Sequence, residues 1–132
     1  MGAFANLEEA RNYFKDDRFV TENGMTIEEM TDDYAVCRFV IEPRHRNAMG
    51  SVMGGAIFTL GDFAISVLGC NLHLPVVGMD GNIHFMAKAK GDTLYARATC
   101  LKNGRTTAVL QSEITDDTGR LVAFMTGTAF KV

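Results

Sequence analysis

Three polar side chains interrupt an otherwise apolar stretch near the middle of the chain. Thr59, Asp62 and Ser66 stand among Ala56, Ile57, Phe58, Leu60, Phe63, Ala64, Ile65, Val67 and Leu68. On a helix turning about 100° per residue they fall within about 60° of one another and form one stripe. An ionisable group in an apolar helix is costly unless it is paired or functional. Asp62 is therefore either a satisfied acid bonded to a neighbouring hydroxyl, or a general base or nucleophile whose pKa burial raises. Just upstream stands Met53-Gly54-Gly55. Glycines at a helix start leave backbone N–H groups open to close approach at the positive end of the helix dipole. Such donors suit a developing oxyanion or a phosphate. A phosphate loop is excluded, because no Gly-Lys-Ser/Thr follows. Close packing of the helix on a strand is the other use for these glycines.

Gly54 and Asp62 are eight residues apart, about 12 Å along a helix rising about 1.5 Å per residue. One small reacting group cannot touch both within one chain. If both serve one site, Gly54 comes from one subunit and Asp62 from another, on helices antiparallel across a twofold axis. That predicts two sites per dimer, at the interface.

The elements that must position these groups follow from the pattern. Asn6-Leu7-Glu8-Glu9 caps a short helix over 6–16, with Leu7, Ala10 and Phe14 at helical spacing. Strands are expected over Met25–Met30 and Tyr34–Ile41, with Thr31-Asp32-Asp33 as the turn. A loop, Glu42–Met53, leads to the long helix Gly54–Cys70. Four more strands are expected after Val76. They are one over Asn82–Lys88, then Thr93–Lys102 joined by Asn103-Gly104 to Arg105–Thr115, and Arg120–Lys131 after the turn Asp116–Gly119. A helix apolar on nearly every side must be covered all round. A curved antiparallel sheet on one side and a second subunit on the other would do this.

Composition narrows the partners. The chain has 132 residues, 47% hydrophobic and 22% charged, with net charge −3, which fits one domain spanning 1–132. No basic patch points to nucleic acid. Cys37, Cys70 and Cys100 are far apart and set in apolar segments, so they are expected to be reduced core thiols of a cytoplasmic protein. His45, His73 and His84 are not spaced as metal ligands, and no metal is expected. The N-terminus has no apolar core of the kind a secretory signal carries. The run Ala56–Cys70 is too short and interrupted for a membrane span.

From His45 to Asp62 the sequence reads H-R-N-A-M-G-S-V-M-G-G-A-I-F-T-L-G-D. It resembles the PaaI-like, 4-hydroxybenzoyl-CoA thioesterase superfamily of hotdog-fold acyl-CoA thioesterases, whose usual form is H-x-N-x-x-G-x-x-H-G-G-x-x-x-x-L-x-D. The resemblance continues through Asp80-Gly81-Asn82-Ile83-His84-Phe85, Ala87-Lys88, Gly91-Asp92 and Asn103-Gly104-Arg105. It implies an α+β hotdog fold, a long central helix wrapped by a curved antiparallel sheet, and hydrolysis of acyl-CoA to free acid and CoA.

The resemblance also implies roles. Asp62 matches the catalytic carboxylate, Gly54 the glycine whose N–H polarises the thioester carbonyl, and Asn47 the loop amide that places thioester or water. Met53, Gly55, Ser66, Asp80 and Asn82 fall at substrate-contacting positions. Met86, Lys88, Lys90, Gly104, Arg105 and Thr106 fall where CoA is held. No cofactor is implied, since CoA is part of the substrate. The expected assembly is a homotetramer, a dimer of dimers.

The chain departs from the pattern at Met53, where the family usually has His, and at Gly78, where some relatives carry a hydroxyl that Ser66 could replace. A non-catalytic acyl-CoA-binding protein on the same scaffold is the alternative reading. A hotdog dehydratase is disfavoured, because the long helix carries no His.

Overall fold

The computed structural model of the chain describes residues 2–132. Two short helices come first, α1 (Leu7–Phe14) and α2 (Arg18–Glu22). Strands β1 (Thr26–Met30) and β2 (Tyr34–Val40) follow, then a single 3-10 turn at Pro43–His45. The long helix α3 (Gly54–Leu72) precedes β3 (Val76–Phe85), β4 (Thr93–Asn103), β5 (Thr107–Asp116) and β6 (Leu121–Lys131). The strands form one antiparallel sheet in the order β1-β2-β4-β5-β6-β3. α3 lies against every strand. This is the hotdog arrangement that the resemblance implied.

The core lies between α3 and the concave face of the sheet. Leu60, Ala64, Val67 and Leu68 of the helix meet Ala35, Cys37 and Phe39 of β2, Leu94 and Ala96 of β4, Leu110 and Ile114 of β5, and Met125 of β6, all of them buried. Period-2 alternation delivers the strand residues to one face. Bulges in β1, β3, β4 and β6 increase local twist and let the sheet curl round the helix. Among the described residues, α3 alone is long and apolar enough to cross a membrane. Here it is the core helix.

Several boundaries differ from expectation. β3 starts six residues before the expected Asn82 and ends at Phe85, leaving Met86–Lys90 as a loop. It is an edge strand, exposed along nearly its whole length, so neither face imposes a hydrophobic alternation. α2 has five residues and no side-chain cap, too little for helical periodicity to mark. The β4–β5 connection is not a two-residue Asn103-Gly104 turn. Asn103 pairs with Ala108 inside the ladder, and the loop is Gly104-Arg105-Thr106, closed by Gly104 N–H donating to the Thr107 carbonyl at 2.9 Å. Lys131 holds Asn103 in place, its Nζ donating to Oδ1 at 2.6 Å.

Candidate active site

The loop before α3 is built by two polar side chains. His45 is buried and its ring packs on Phe39 at a centroid distance of 4.3 Å. Its Nδ1 accepts from Glu42 N–H at 2.9 Å, so Nε2 carries the proton and donates to the Asn23 carbonyl at 2.8 Å. Both ring nitrogens are therefore committed to structure. Asn47 Oδ1 accepts from the N–H groups of Met49 at 3.0 Å and Ser51 at 3.1 Å. Gly50, at φ +80°, closes this turn, in a conformation that glycine adopts without strain. The Asn47 carbonyl oxygen thus shapes the loop and leaves the Nδ2 amide as the group able to reach outward.

The loop ends by aiming a helix start at solvent. Met53 is the N-cap residue and offers no side-chain cap. Ala56 and Ile57 N–H bond to the Met53 carbonyl at 3.0 and 3.2 Å. The N–H groups of Gly54 and Gly55 have no partner among the described residues, as the first donors of a helix do not. Gly54 borders a cavity of about 430 Å³ whose walls also include Ser51, Ile57, Phe85, Met86 and Lys88. Gly54 also packs: a Cβ there would lie 2.9 Å from Cζ of Phe85. The close packing expected of this glycine is thus present.

A Gly54→Val variant should fold, because the atom it meets is the tip of a ring that is 56% exposed. It should lose turnover by at least about tenfold, because the ring and the new methyls crowd the N–H whose donor contribution is typically about 10²–10³ in rate. Circular dichroism with a kinetic assay checks this, and a stable variant with unchanged turnover would be the contrary result.

Asp62 differs from the buried acid expected. In a single chain its side chain is exposed, on the stripe of α3 that the sheet leaves uncovered together with Thr59 and Ser66. No hydrogen bond satisfies its carboxylate among the described residues, so it is not a structural acid bonded to a neighbouring hydroxyl. Thr59 Oγ1 instead donates to the Gly55 carbonyl at 2.7 Å. Asp62 opens on a hollow of about 60 Å³ walled by Ile65, Ser66, Cys70, Val76, Gly78 and Asp80 among others. Loss of water to these walls, and then the like charge of Asp17 at the start of α2, push its pKa above the usual aspartate value. Ser66 stands beside Asp62, while Gly78 supplies no hydroxyl. Asp80 Oδ1 accepts from Thr128 N–H at 3.1 Å across the bulge in β3, which gives it a backbone-holding role. Asn82 pairs with Thr126, and its neighbour Ile83 pairs with the inward-facing Met125. Alternation places Asn82 on the outer face, away from α3.

The residues matched to CoA binding fall into two groups. Met86 and Lys88 line the cavity beside Gly54. Lys90 follows on a turn held by Asp116, whose Oδ2 accepts from Lys90 N–H at 2.7 Å and Gly91 N–H at 3.1 Å. Gly104, Arg105 and Thr106 lie at the opposite end of the sheet. Thr106 is tied to Lys131, which pairs with Val76 at the start of β3, whereas Phe85 at its end pairs with Ala123. The ten-residue length of β3 separates the groups by about 30 Å at roughly 3.3 Å per residue. One chain does not bring them together. Phe85, Asp116 and Asp17 were not anticipated from sequence. No group of three or more His, Cys, Asp or Glu among the described residues is placed to hold a metal ion.

Known proteins share this sequence pattern and fold. The family model described as "Thioesterase superfamily" matches residues 49–123, the span from the Gly54 loop to β6. Over 103 residues the chain is 32% identical to acyl-coenzyme A thioesterase 13 of Mus musculus, covering 75% of this chain and 74% of that one. It is 26% identical over 126 residues to acyl-coenzyme A thioesterase PaaI of Escherichia coli (strain K12), covering 95% and 90%. The solved E. coli PaaI protein from the phenylacetic acid degradation operon superposes with a TM-score of 0.87 at 25% identity, over 93% of this chain and 90% of that one.

Proposed function

The chain belongs to the thioesterase superfamily, and from that premise we propose that it hydrolyses acyl-CoA thioesters at sites assembled between two copies of itself. The separation of Gly54 from Asp62 along one helix carries this reading. Each chain presents an unpartnered pair of N–H donors at one end of a stripe and an unpartnered carboxylate farther along it. A second copy laid antiparallel on that stripe brings donor and carboxylate together twice.

The edge strand supports such pairing. β3 has an unpaired edge, with Val77, Met79 and Phe85 exposed along the strand. An edge of that kind is a template for another strand, and strand-to-strand pairing would set the two α3 helices side by side. The two CoA-matched groups, about 30 Å apart on one chain by strand rise, also fit a phosphate site completed by a neighbour, as in a dimer of dimers.

The chemistry then follows from the parts. The thioester carbonyl oxygen points at Gly54 N–H, and Asn47 Nδ2 orients the substrate. Asp62 of the other chain takes a proton from water, and the resulting hydroxide attacks the carbonyl carbon. The oxyanion that forms is held by the N–H donors. It collapses with cleavage of the C–S bond, and the thiolate of CoA leaves and is protonated. Lys88, Lys90 and Arg105 supply cations for the phosphates.

The experiment is thiol release from a panel of acyl-CoAs, with an enzyme-only blank for Cys37, Cys70 and Cys100. Cys37 and Cys70 are buried and Cys100 is half-buried, and burial raises all three thiol pKa values, so this blank should be small. Release above the blank supports the reading. Tight CoA binding with no release from any thioester would instead identify an acyl-CoA-binding protein.

A further inference from the structure

We infer that Arg120, which the mechanism above does not use, binds a phosphate of the thiol carrier and makes the site select phosphorylated carriers over bare pantetheine thioesters. Resting on the acyl-CoA reading above, this adds a specificity-determining residue to it. Two buried side-chain atoms among the described residues lack a hydrogen-bond partner, Ser112 Oγ and Arg120 Nε. Ser112 is neutral and enclosed in the core. Arg120 is charged and half-buried. A buried N–H of a charged group without an acceptor is costly, and a ligand is one of the few things that explain it. No ion pair among the described residues includes Arg120, Lys88 or Lys90.

Backbone bonds place the three cations together. Met86 and Ala87 N–H donate to the Val122 carbonyl at 2.8 and 3.2 Å, two residues beyond Arg120. Lys90 and Gly91 N–H donate to one oxygen of Asp116, and Arg120 N–H donates to the other at 3.1 Å. The segment that carries Lys88 is thus fastened on both sides of Arg120 and runs past it. Lys88 lines the cavity beside Gly54, so Arg120 stands at the same end of the sheet as the Gly54 N–H donor. The acids of this end are turned onto backbone. Asp116 takes its bonds from the two turns, and Asp117 Oδ1 accepts from Asp92 N–H at 2.9 Å and Thr93 N–H at 3.4 Å. Asp92 is exposed and pairs with none of the three cations. A guanidinium fork matches phosphate geometry in a way that a lysine ammonium does not. The turn that holds Arg120 joins β5 to β6, inside the strand order. It lies off the stripe of α3 and off the free edge of β3, the surfaces on which a second copy would lie.

The test compares kcat/KM for one acyl group carried on CoA, dephospho-CoA, phosphopantetheine and pantetheine, in the wild type and in Arg120→Met. The preference for acyl-CoA over acyl-pantetheine should fall about tenfold in the variant, the scale of one charge-assisted hydrogen bond, and through KM rather than kcat. The smallest carrier at which the two proteins part identifies the phosphate that Arg120 meets. A preference unmoved by Arg120→Met overturns the inference while leaving thioester hydrolysis intact. Without ligand, Arg120→Met should melt no lower than the wild type, because it removes a buried donor that has no partner. Saturating CoA should then raise the melting temperature of the wild type more than that of the variant. A variant that melts lower, with an equal rise on adding CoA, would make Arg120 a structural residue and overturn the inference. Arg120→Lys keeps the charge and the stem, guards against misfolding of the methionine variant, and should show the same fall at smaller size. If no thioester is cleaved, the hydrolytic reading fails, and calorimetry of CoA against pantetheine judges Arg120 separately. CoA bound about tenfold more weakly by Arg120→Met sustains the inference; equal binding by both proteins overturns it.

Discussion

Asp62→Ala is expected to lower thioester turnover by about 10²–10⁴, the range for loss of a positioned general base, and to leave the fold and assembly unchanged. The exposed, unpartnered carboxylate explains the second half of that expectation, since no bond within the chain is lost. Asp62→Asn should be at least as stable as the wild type at neutral pH. The sign follows from the raised pKa, whose first cause is loss of water and whose second is Asp17. An acid whose folded pKa is raised is disfavoured in its ionised form, so its stability contribution is full below the unfolded pKa and is lost as pH rises through the folded one. The amide removes that loss. The base must be ionised to act, so turnover should rise with pH through a midpoint above the usual aspartate range of about 4, and Asp17→Asn should move that midpoint down. Melting curves and a pH–rate profile read both effects. Wild-type turnover in Asp62→Ala would remove the residue from the mechanism.

Asp116→Ala should destabilise the chain by about 3 kcal/mol, the scale for removing a buried, multiply bonded carboxylate. Asp116 is 2% exposed and ties two turns together. Its Oδ2 holds Lys90 and Gly91, while its Oδ1 accepts from Thr118 N–H at 3.0 Å, Thr118 Oγ1 at 2.6 Å and Arg120 N–H at 3.1 Å. Burial alone would push its pKa up. The Thr118 hydroxyl and the N–H groups of Lys90, Arg120 and Gly91 outweigh burial and hold it well below the usual aspartate range. A carboxylate with a depressed folded pKa contributes stability that is present above its unfolded pKa, about 3.9, and is lost as pH falls toward the folded value. The wild type should therefore lose stability in that acid window and Asp116→Ala should lose less there. Urea titrations at neutral and acid pH give both numbers. Loosening the Lys88–Lys90 segment should also raise KM for an acyl-CoA more than it lowers kcat, the mark of lost ground-state binding. A variant as stable as the wild type would refute the assigned role.

The parts of the site that were legible before the structure are those written in short-range periodicity. Thr59, Asp62 and Ser66 share a stripe because the helix repeat puts them there, and Gly54-Gly55 marks the helix start directly. Distances along one helix follow from its rise, which is why the separation of Gly54 and Asp62 could be argued from residue numbers alone. What stayed hidden depends on contacts distant in sequence. His45 and Asn23 meet across 22 residues, and that contact fixes the loop that leads into α3. Asp116 reads as an ordinary turn acid until Lys90, 26 residues away, is seen to donate to it. β3 was misplaced because an exposed edge strand with Gly78 and Gly81 carries no inward–outward pattern. The burial expected for Asp62 is not achieved within one chain, because the sheet covers only the opposite side of α3.

The shared site is tested most directly by mixing two defective chains, Asp62→Ala and Gly54→Val, through joint refolding or co-expression. A mixed dimer contains one pairing in which the intact Gly54 of the first chain faces the intact Asp62 of the second. Random assembly of equal amounts makes half the dimers mixed, each with one working site, so about a quarter of wild-type activity should appear where each parent alone has little. Activity that stays at the sum of the two parents, with mixed dimers present, would contradict a site shared between chains.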